Sequence, residues 1–159
     1  MKIILLSLVL IAFHNFTFAQ SDITGKRKTF DDETLEVKSI VEVFKKEGKY
    51  YGRIVKLFRK STEDPDPVCT ECDDEDPRFN KKIIGLEILK DMKKIGEEYS
   101  EGTILDPKNG KVYRCKIWTE EQDLKLRGYL GPFYRTQTWM KETKEPNEKI
   151  TILTLLIVL

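Results

Sequence analysis

Histidine is nearly absent from this chain of 159 residues: the one example, His14, lies in an apolar N-terminal segment. Its absence elsewhere excludes Ser-His-Asp and Cys-His activation of a nucleophile. It also excludes every zinc or iron site built on imidazole. Cysteine is sparse, with Cys69, Cys72 and Cys115 only, so a second C-x-x-C pair for a four-cysteine zinc site is missing. Neither sign of charge is in excess: 28 Lys and Arg face 27 Asp and Glu. A nucleic-acid interface needs a basic surplus on one surface, and no nucleic-acid partner is expected. Long apolar runs are lacking too. Ile3–Phe13 and the ten residues 150–159 both fall short of the ~20 that a spanning helix requires.

The leader is informative. MKIILLSLVLIAFHNFTFA places Lys2 before the apolar run and Thr17 and Ala19 at the −3 and −1 positions of a cleavage site. That is the pattern of a signal peptide over residues 1–19, and it implies an exported protein, periplasmic or extracellular. No cysteine stands near the cut, so no lipid anchor is expected. The other end, ITILTLLIVL, follows the charged KETKEPNEK. Residues 142–159 read as a polar linker and a short hydrophobic tail, either an extra strand or a segment that touches a membrane surface or a partner.

Between the ends, residues 22–141 alternate between short apolar-polar segments and turn signals. VYRCKIW sets Tyr113, Cys115 and Ile117 against Arg114 and Lys116, and LKLRGYL sets Leu124, Leu126 and Leu130 against Lys125, Arg127 and Tyr129. A period of two is that of a half-buried strand. KKEGK with Gly48 and DPKNG with its Asn-Gly pair supply hairpin turns. The pattern predicts about eight strands, at 23–30, 37–45, 49–58, 83–91, 97–105, 111–118, 123–130 and 133–141. At 83–91 a helix competes, because Ile84, Ile88 and Met92 stand at helical spacing, but Gly85 and Ile83-Ile84 favour a strand. The expected fold is all-β, an antiparallel up-and-down barrel, since closure removes exposed strand edges. A barrel of eight strands either holds one small ligand or is filled by side chains.

The segments GKRKTFDDET, SIVEVFKKEGKYYGRIVKL, IIGLEILKDM, DPKNGKVYRCKIW and DLKLRGYLGPFYRTQTW together resemble the bacterial secreted family called domain of unknown function 2147. The resemblance covers about residues 22–141 and implies a lipocalin-like barrel with no catalytic residues to assign. It also implies a G-x-W motif at the closed end, where Gly25-Lys26-Arg27 stands here. In such barrels the Trp packs beneath an Arg of the last strand, a cation–π contact of roughly 0.5–2 kcal/mol. Arg135 occupies a suitable place for that Arg. Arg27 and Arg135 are therefore expected to meet at the barrel closure, and Arg27→Trp to raise stability.

Cys69 and Cys72 lie in a loop, 61–77, with eight acidic residues, three prolines and no basic residue. Such a stretch should stay in water. Zinc would need carboxylates to complete its shell. Redox chemistry is opposed by Glu71, Asp73 and Asp74, which would raise a thiol pKa. A Cys69–Cys72 disulfide is favoured, worth about 2 kcal/mol by ring closure, with Cys115 a buried free thiol. A bridge to Cys115 would close a longer ring worth about 4 kcal/mol. An EF-hand spacing is missing, and no metal or cofactor is expected.

Tyr113, Ile117, Leu124 and Leu126 are the candidate lining of the barrel, and Tyr50, Tyr51 and Trp118 could join them. The functional reading is a non-catalytic binder of a small apolar or amphipathic ligand. The alternative is a structural or interaction protein of the cell envelope with a filled barrel. If the leader is removed as its pattern predicts, N-terminal sequencing of protein from the native envelope will begin at Gln20 or within two residues of it. An intact Met1 on the mature product would sink the export assignment.

Overall fold

The structure, a computed structural model, describes residues 22–143. The predicted leader and the tail 150–159 lie outside the described residues. Eight strands follow one another: β1 (Gly25–Phe30), β2 (Val37–Lys46), β3 (Lys49–Leu57), β4 (Glu87–Ile95), β5 (Glu98–Asp106), β6 (Lys111–Glu120), β7 (Asp123–Leu130) and β8 (Phe133–Lys141). Each pairs antiparallel with the next, and β8 returns to β1, closing the barrel. The all-β, up-and-down expectation holds. The fourth strand does not begin at residue 83. Gly85 turns with φ 94° and donates its N–H to the Ile54 carbonyl, so Ile83 and Leu86 are buried before the strand starts. Ile84, one of the three residues of the helical signal, is exposed, while Ile88 and Met92 are buried.

Alternation divides the barrel into an inner apolar face and an outer charged one. Cross-strand partners share a face, so Gly52 with Leu89, Tyr50 with Met92, Gly102 with Cys115, Ile117 with Leu126 and Leu124 with Trp139 all turn inward. Gly102 is required where β4 and β5 pass closest, since a Cβ there would stand 2.3 Å from the Lys90 carbonyl oxygen and 2.4 Å from Met92 Sδ. On the outer face Arg53 pairs with Glu42, Lys116 with Glu98, and Lys49 with Asp91. Tyr51 stacks on Phe44, and Arg127 lies over both Trp118 and Tyr134. Tyr51 and Trp118 are therefore outer-face residues and do not line the interior.

One end of the barrel is sealed. Ile23 and Tyr99 are fully buried there, and the Tyr99 ring meets Tyr50 edge-on at 4.8 Å. Arg27 is buried, with Nη1 donating to the Gln122 carbonyl at 2.7 Å and Nη2 to the Ile23 carbonyl at 3.3 Å. Its guanidinium thus ties the first strand to the turn between β6 and β7 and to the incoming chain. Burial pulls the Arg27 pKa down, while nearby Asp123 pushes it back up. The expected meeting with Arg135 does not occur: Arg27 pairs with Lys141, whereas Arg135 pairs with Gly128 and is exposed. Arg135 stands six positions along β8 from Lys141, the partner of Arg27, so the arginines belong to opposite ends. The last strand instead brings a buried indole, Trp139, to the interior. Arg27 Nε and Trp139 Nε1 have no protein acceptor.

The long connection between β3 and β4 departs from the fully solvated loop expected for it. Its carboxylates at Asp64, Glu71, Asp73 and Asp74 are exposed, but Cys69, Cys72, Arg78 and Ile83 are buried. Cys69 and Cys72 are joined by a disulfide, with Cα atoms 5.4 Å apart. The loop folds against the wall of the barrel, where alternation turns Ile88 and Leu105 outward and the loop leaves both buried. Contact is close. Cys69 Sγ lies 4.0 Å from the Pro107 carbonyl, and a Cβ on Gly110 (φ 69°) would strike the Glu71 carbonyl oxygen at 1.6 Å. Arg78 donates Nε and Nη2 to the two Asp76 oxygens, at 2.8 and 2.6 Å, and Nη1 to the Glu87 carbonyl at 3.2 Å. Hydrogen bonding to Arg78 draws the Asp76 pKa down to about 2. Because the folded state lowers that pKa, the pair stabilises the loop fully above the ordinary carboxylate range and is lost as pH falls through about 2.

Cys115 is free and buried, its Sγ 3.5 Å from Met92 Sδ, and burial pushes its thiol up to about 12. Thiol titration should therefore find no reactive thiol in the native, non-reduced protein and one after unfolding, mapped to Cys115. A free Cys69 or Cys72 in that peptide map would refute the staple. Because both sulfurs are buried, Cys69→Ala with Cys72→Ala should cost about 3 kcal/mol, more than ring closure alone.

The Arg27 geometry reverses the stability change expected from the sequence. Arg27→Trp leaves the Ile23 and Gln122 carbonyls without their donor, at a cost of about 1–3 kcal/mol for an unsatisfied buried group. The melting temperature should drop by about 5 °C or more. A rise would show that those carbonyl contacts are dispensable and that the indole fits the closed end.

Candidate functional site

The end opposite Arg27 is where the inner face opens. Going up β7 from the sealed end, Leu124 and Leu126 are buried, Gly128 is half-buried and Leu130 is exposed. Their partners on β8 follow the same course: Trp139 is buried, Gln137 half-buried, Arg135 and Phe133 exposed. On β5 and β6 the inner pair Ile104 and Tyr113 is half-buried, above a buried Cys115. A Cβ on Gly128 would find only Tyr113 Cβ at 3.8 Å and Ile104 Cγ2 at 3.9 Å. The barrel is thus a packed floor under a shallow mouth that is apolar on β5–β7 and polar on β8, with Leu126 and Cys115 at the floor.

The mouth has one open side. β1 and β8 pair only at Arg27 with Lys141 and Lys28 with Met140. Beyond Lys28 the strands part, and a cleft of about 250 Å³ lies between Phe30, Asp31, Asp32 and Leu35 on one side and Thr136, Gln137 and Thr138 on the other. Polar contacts bridge this seam. Asp32 Oδ2 accepts a hydrogen bond from Gln137 Nε2 at 2.8 Å and forms an ion pair with Arg135. Asp31 takes no part, since its Oδ1 accepts from the Glu33 and Thr34 amides, both at 3.0 Å, holding the β1–β2 turn. Those amide donors draw the Asp31 pKa down. Inside the mouth Thr29 and Ser39, both buried, satisfy each other through hydroxyls 2.6 Å apart.

The register turns all four residues proposed as lining inward, but they are not equivalent. Tyr113 faces the open mouth, its hydroxyl accepting from Asn109 Nδ2 at 3.2 Å. Leu126 belongs to the floor. Ile117 and Leu124 have no exposed surface and pack the core, so their place is structural. Sequence reasoning missed Asp32, Ile104, Gly128 and Gln137. The alternation of Phe133, Arg135 and Gln137 in phase with Trp139 is the signal that could have placed the β8 residues. Nothing local in the sequence marks Asp32, which reaches its partners only when the barrel closes. No group of three or more potential metal-ligating side chains occurs among the described residues.

Comparison with known proteins agrees with this architecture. The solved structure of protein HP1028 from the human pathogen Helicobacter pylori, described as belonging to the lipocalin family, is similar to this chain with a TM-score of 0.64. The likeness covers 84% of this chain and 89% of that one at 22% identity, a level that speaks for the fold alone. No curated protein matches. The model of the family DUF2147, described as an uncharacterized protein conserved in bacteria, matches residues 25–141, and the chain belongs to that family.

Proposed function

We propose that this DUF2147 protein is exported and binds a small amphipathic molecule at the open end of its barrel, performing no chemistry of its own. The observation that carries the reading is the gradient of exposure along the inner face of β6–β8, from a sealed floor to an open mouth with apolar and polar sides. Lipocalin-shaped barrels of eight strands are of a size to hold one small ligand. Here the lower half is filled with side chains, so the ligand would be shallow and reach water at one end. Export is supported by the leader pattern and by a disulfide in the β3–β4 loop, a bond that persists in oxidising compartments. The absence of chemistry is supported by the lack of histidine beyond the leader. It is supported too by the carboxylates that pair on the outer face, such as Glu42, Asp91 and Glu98.

A second reading has its own observation. Leu35, Leu130, Phe133 and Tyr134 are all more than half exposed, and an apolar rim of this kind also suits an interaction protein that docks through its surface.

Native mass spectrometry of protein recovered from its host's envelope distinguishes the two. A small-molecule adduct that is lost on denaturation is expected. Adduct-free protein that also fails to bind the dye 1-anilinonaphthalene-8-sulfonate would overturn the ligand-binding reading in favour of surface docking.

A further inference from the structure

We propose that Arg135 and Gln137 form a carboxylate-binding fork at the seam of the barrel, filled by Asp32 in the free protein and taken over by the anionic headgroup of a single-chain amphiphile on binding. The inference rests on the reading of the mouth as a ligand site and names the class of ligand. Arg135 and Gln137 are successive inner-face positions on β8, and both address the same oxygen, Asp32 Oδ2. A guanidinium and an amide N–H₂ converging on one point present donors and no acceptor, the arrangement that a carboxylate fits. The protein's own carboxylate occupies it, as a stand-in for a ligand's.

Asp32 is suited to leave. The turn that carries it is held by Asp31, whose side chain accepts from the Glu33 and Thr34 amides, while the Leu35 amide donates to the Asp31 carbonyl. None of those bonds involves the Asp32 side chain. When displaced, Asp32 can turn to water at the rim with little loss of its surroundings. Leu35, exposed on the same turn, and Phe30 line the adjoining cleft. A chain entering between the turn and β8 would therefore set its headgroup at Arg135 and Gln137 and its tail against Ile104, Tyr113 and the open face of Gly128. A cationic headgroup has no such place, because it would meet Arg135 first and have to compete with it for Asp32.

Titration calorimetry with dodecanoate, dodecanol and dodecylammonium, each below its aggregation concentration, tests this on the protein lacking its leader. Dodecanoate should bind about ten-fold more tightly than dodecanol, the scale of one charge-assisted hydrogen bond. Arg135→Gln should bring the two affinities together. Asp32→Asn should strengthen dodecanoate binding several-fold and leave dodecanol unchanged, an effect opposite to that of simple damage at the site. Circular dichroism melting confirms folding of each variant; if Arg135→Gln fails to fold, Asp32→Asn alone decides. Equal affinity for dodecanoate and dodecanol, tighter binding of dodecylammonium, or weaker dodecanoate binding by Asp32→Asn would each overturn the fork. Failure of all three probes to bind would instead overturn the ligand-binding reading on which it rests.

Discussion

The closure between β1 and β8 is the constraint on which the rest of the molecule depends. An eight-stranded meander has two free edges unless its first and last strands meet. Here they meet over two residue pairs, Arg27 with Lys141 and Lys28 with Met140. At that short contact the chain is reinforced from inside, where Arg27 binds the Ile23 and Gln122 carbonyls. Past Lys28 the first strand leaves the last and turns toward Asp32. The residue at which closure stops is thus the one at which the mouth and its polar seam begin. A longer ladder would have sealed the cleft, and a shorter one would have left the barrel open.

A second support lies outside the barrel. The β3–β4 loop is too acidic to form a core of its own, but its disulfide and the Asp76–Arg78 pair hold a few buried side chains over Ile88 and Leu105. The carboxylates remain in water while the backbone between them is pinned. Glu71 presses on Gly110 at the β5–β6 turn, which fixes one rim of the mouth. The opposite rim, formed by the β7–β8 hairpin and the β1–β2 turn, has no comparable staple. Its links are the exposed Arg135–Asp32 pair and the Gln137 hydrogen bond, and surface pairs of this kind contribute little to stability. Rigidity is concentrated on one side of the mouth and exchangeable polar contacts on the other.

How much of this the sequence discloses depends on the range of each interaction. Strand alternation is local, so the inner set Cys115, Ile117, Leu124 and Leu126 and the all-β barrel could be read directly. The start of β4 could not, because Ile83 and Leu86 look like strand residues and are buried by the loop instead. The role of Arg27 is hidden for a related reason: its partners are backbone carbonyls of Gln122 and Ile23, which carry no signature in side-chain type. The loop's acidity masked the burial of Cys69 and Cys72. The candidate site is the least legible part, since Asp32 lies 103 positions from Arg135 in the chain. They come together only through closure.

Backbone amide mapping by heteronuclear NMR during titration with dodecanoate tests the central claim, that the floor is sealed and the β6–β8 side of the mouth is open. The amides of Asp32, Tyr113, Gly128, Arg135 and Gln137 should shift progressively, while those of Tyr50, Tyr99, Ile117 and Leu124 stay in place. Shifts concentrated at the closed end, or in the stapled segment from Cys69 to Leu86, would contradict the account.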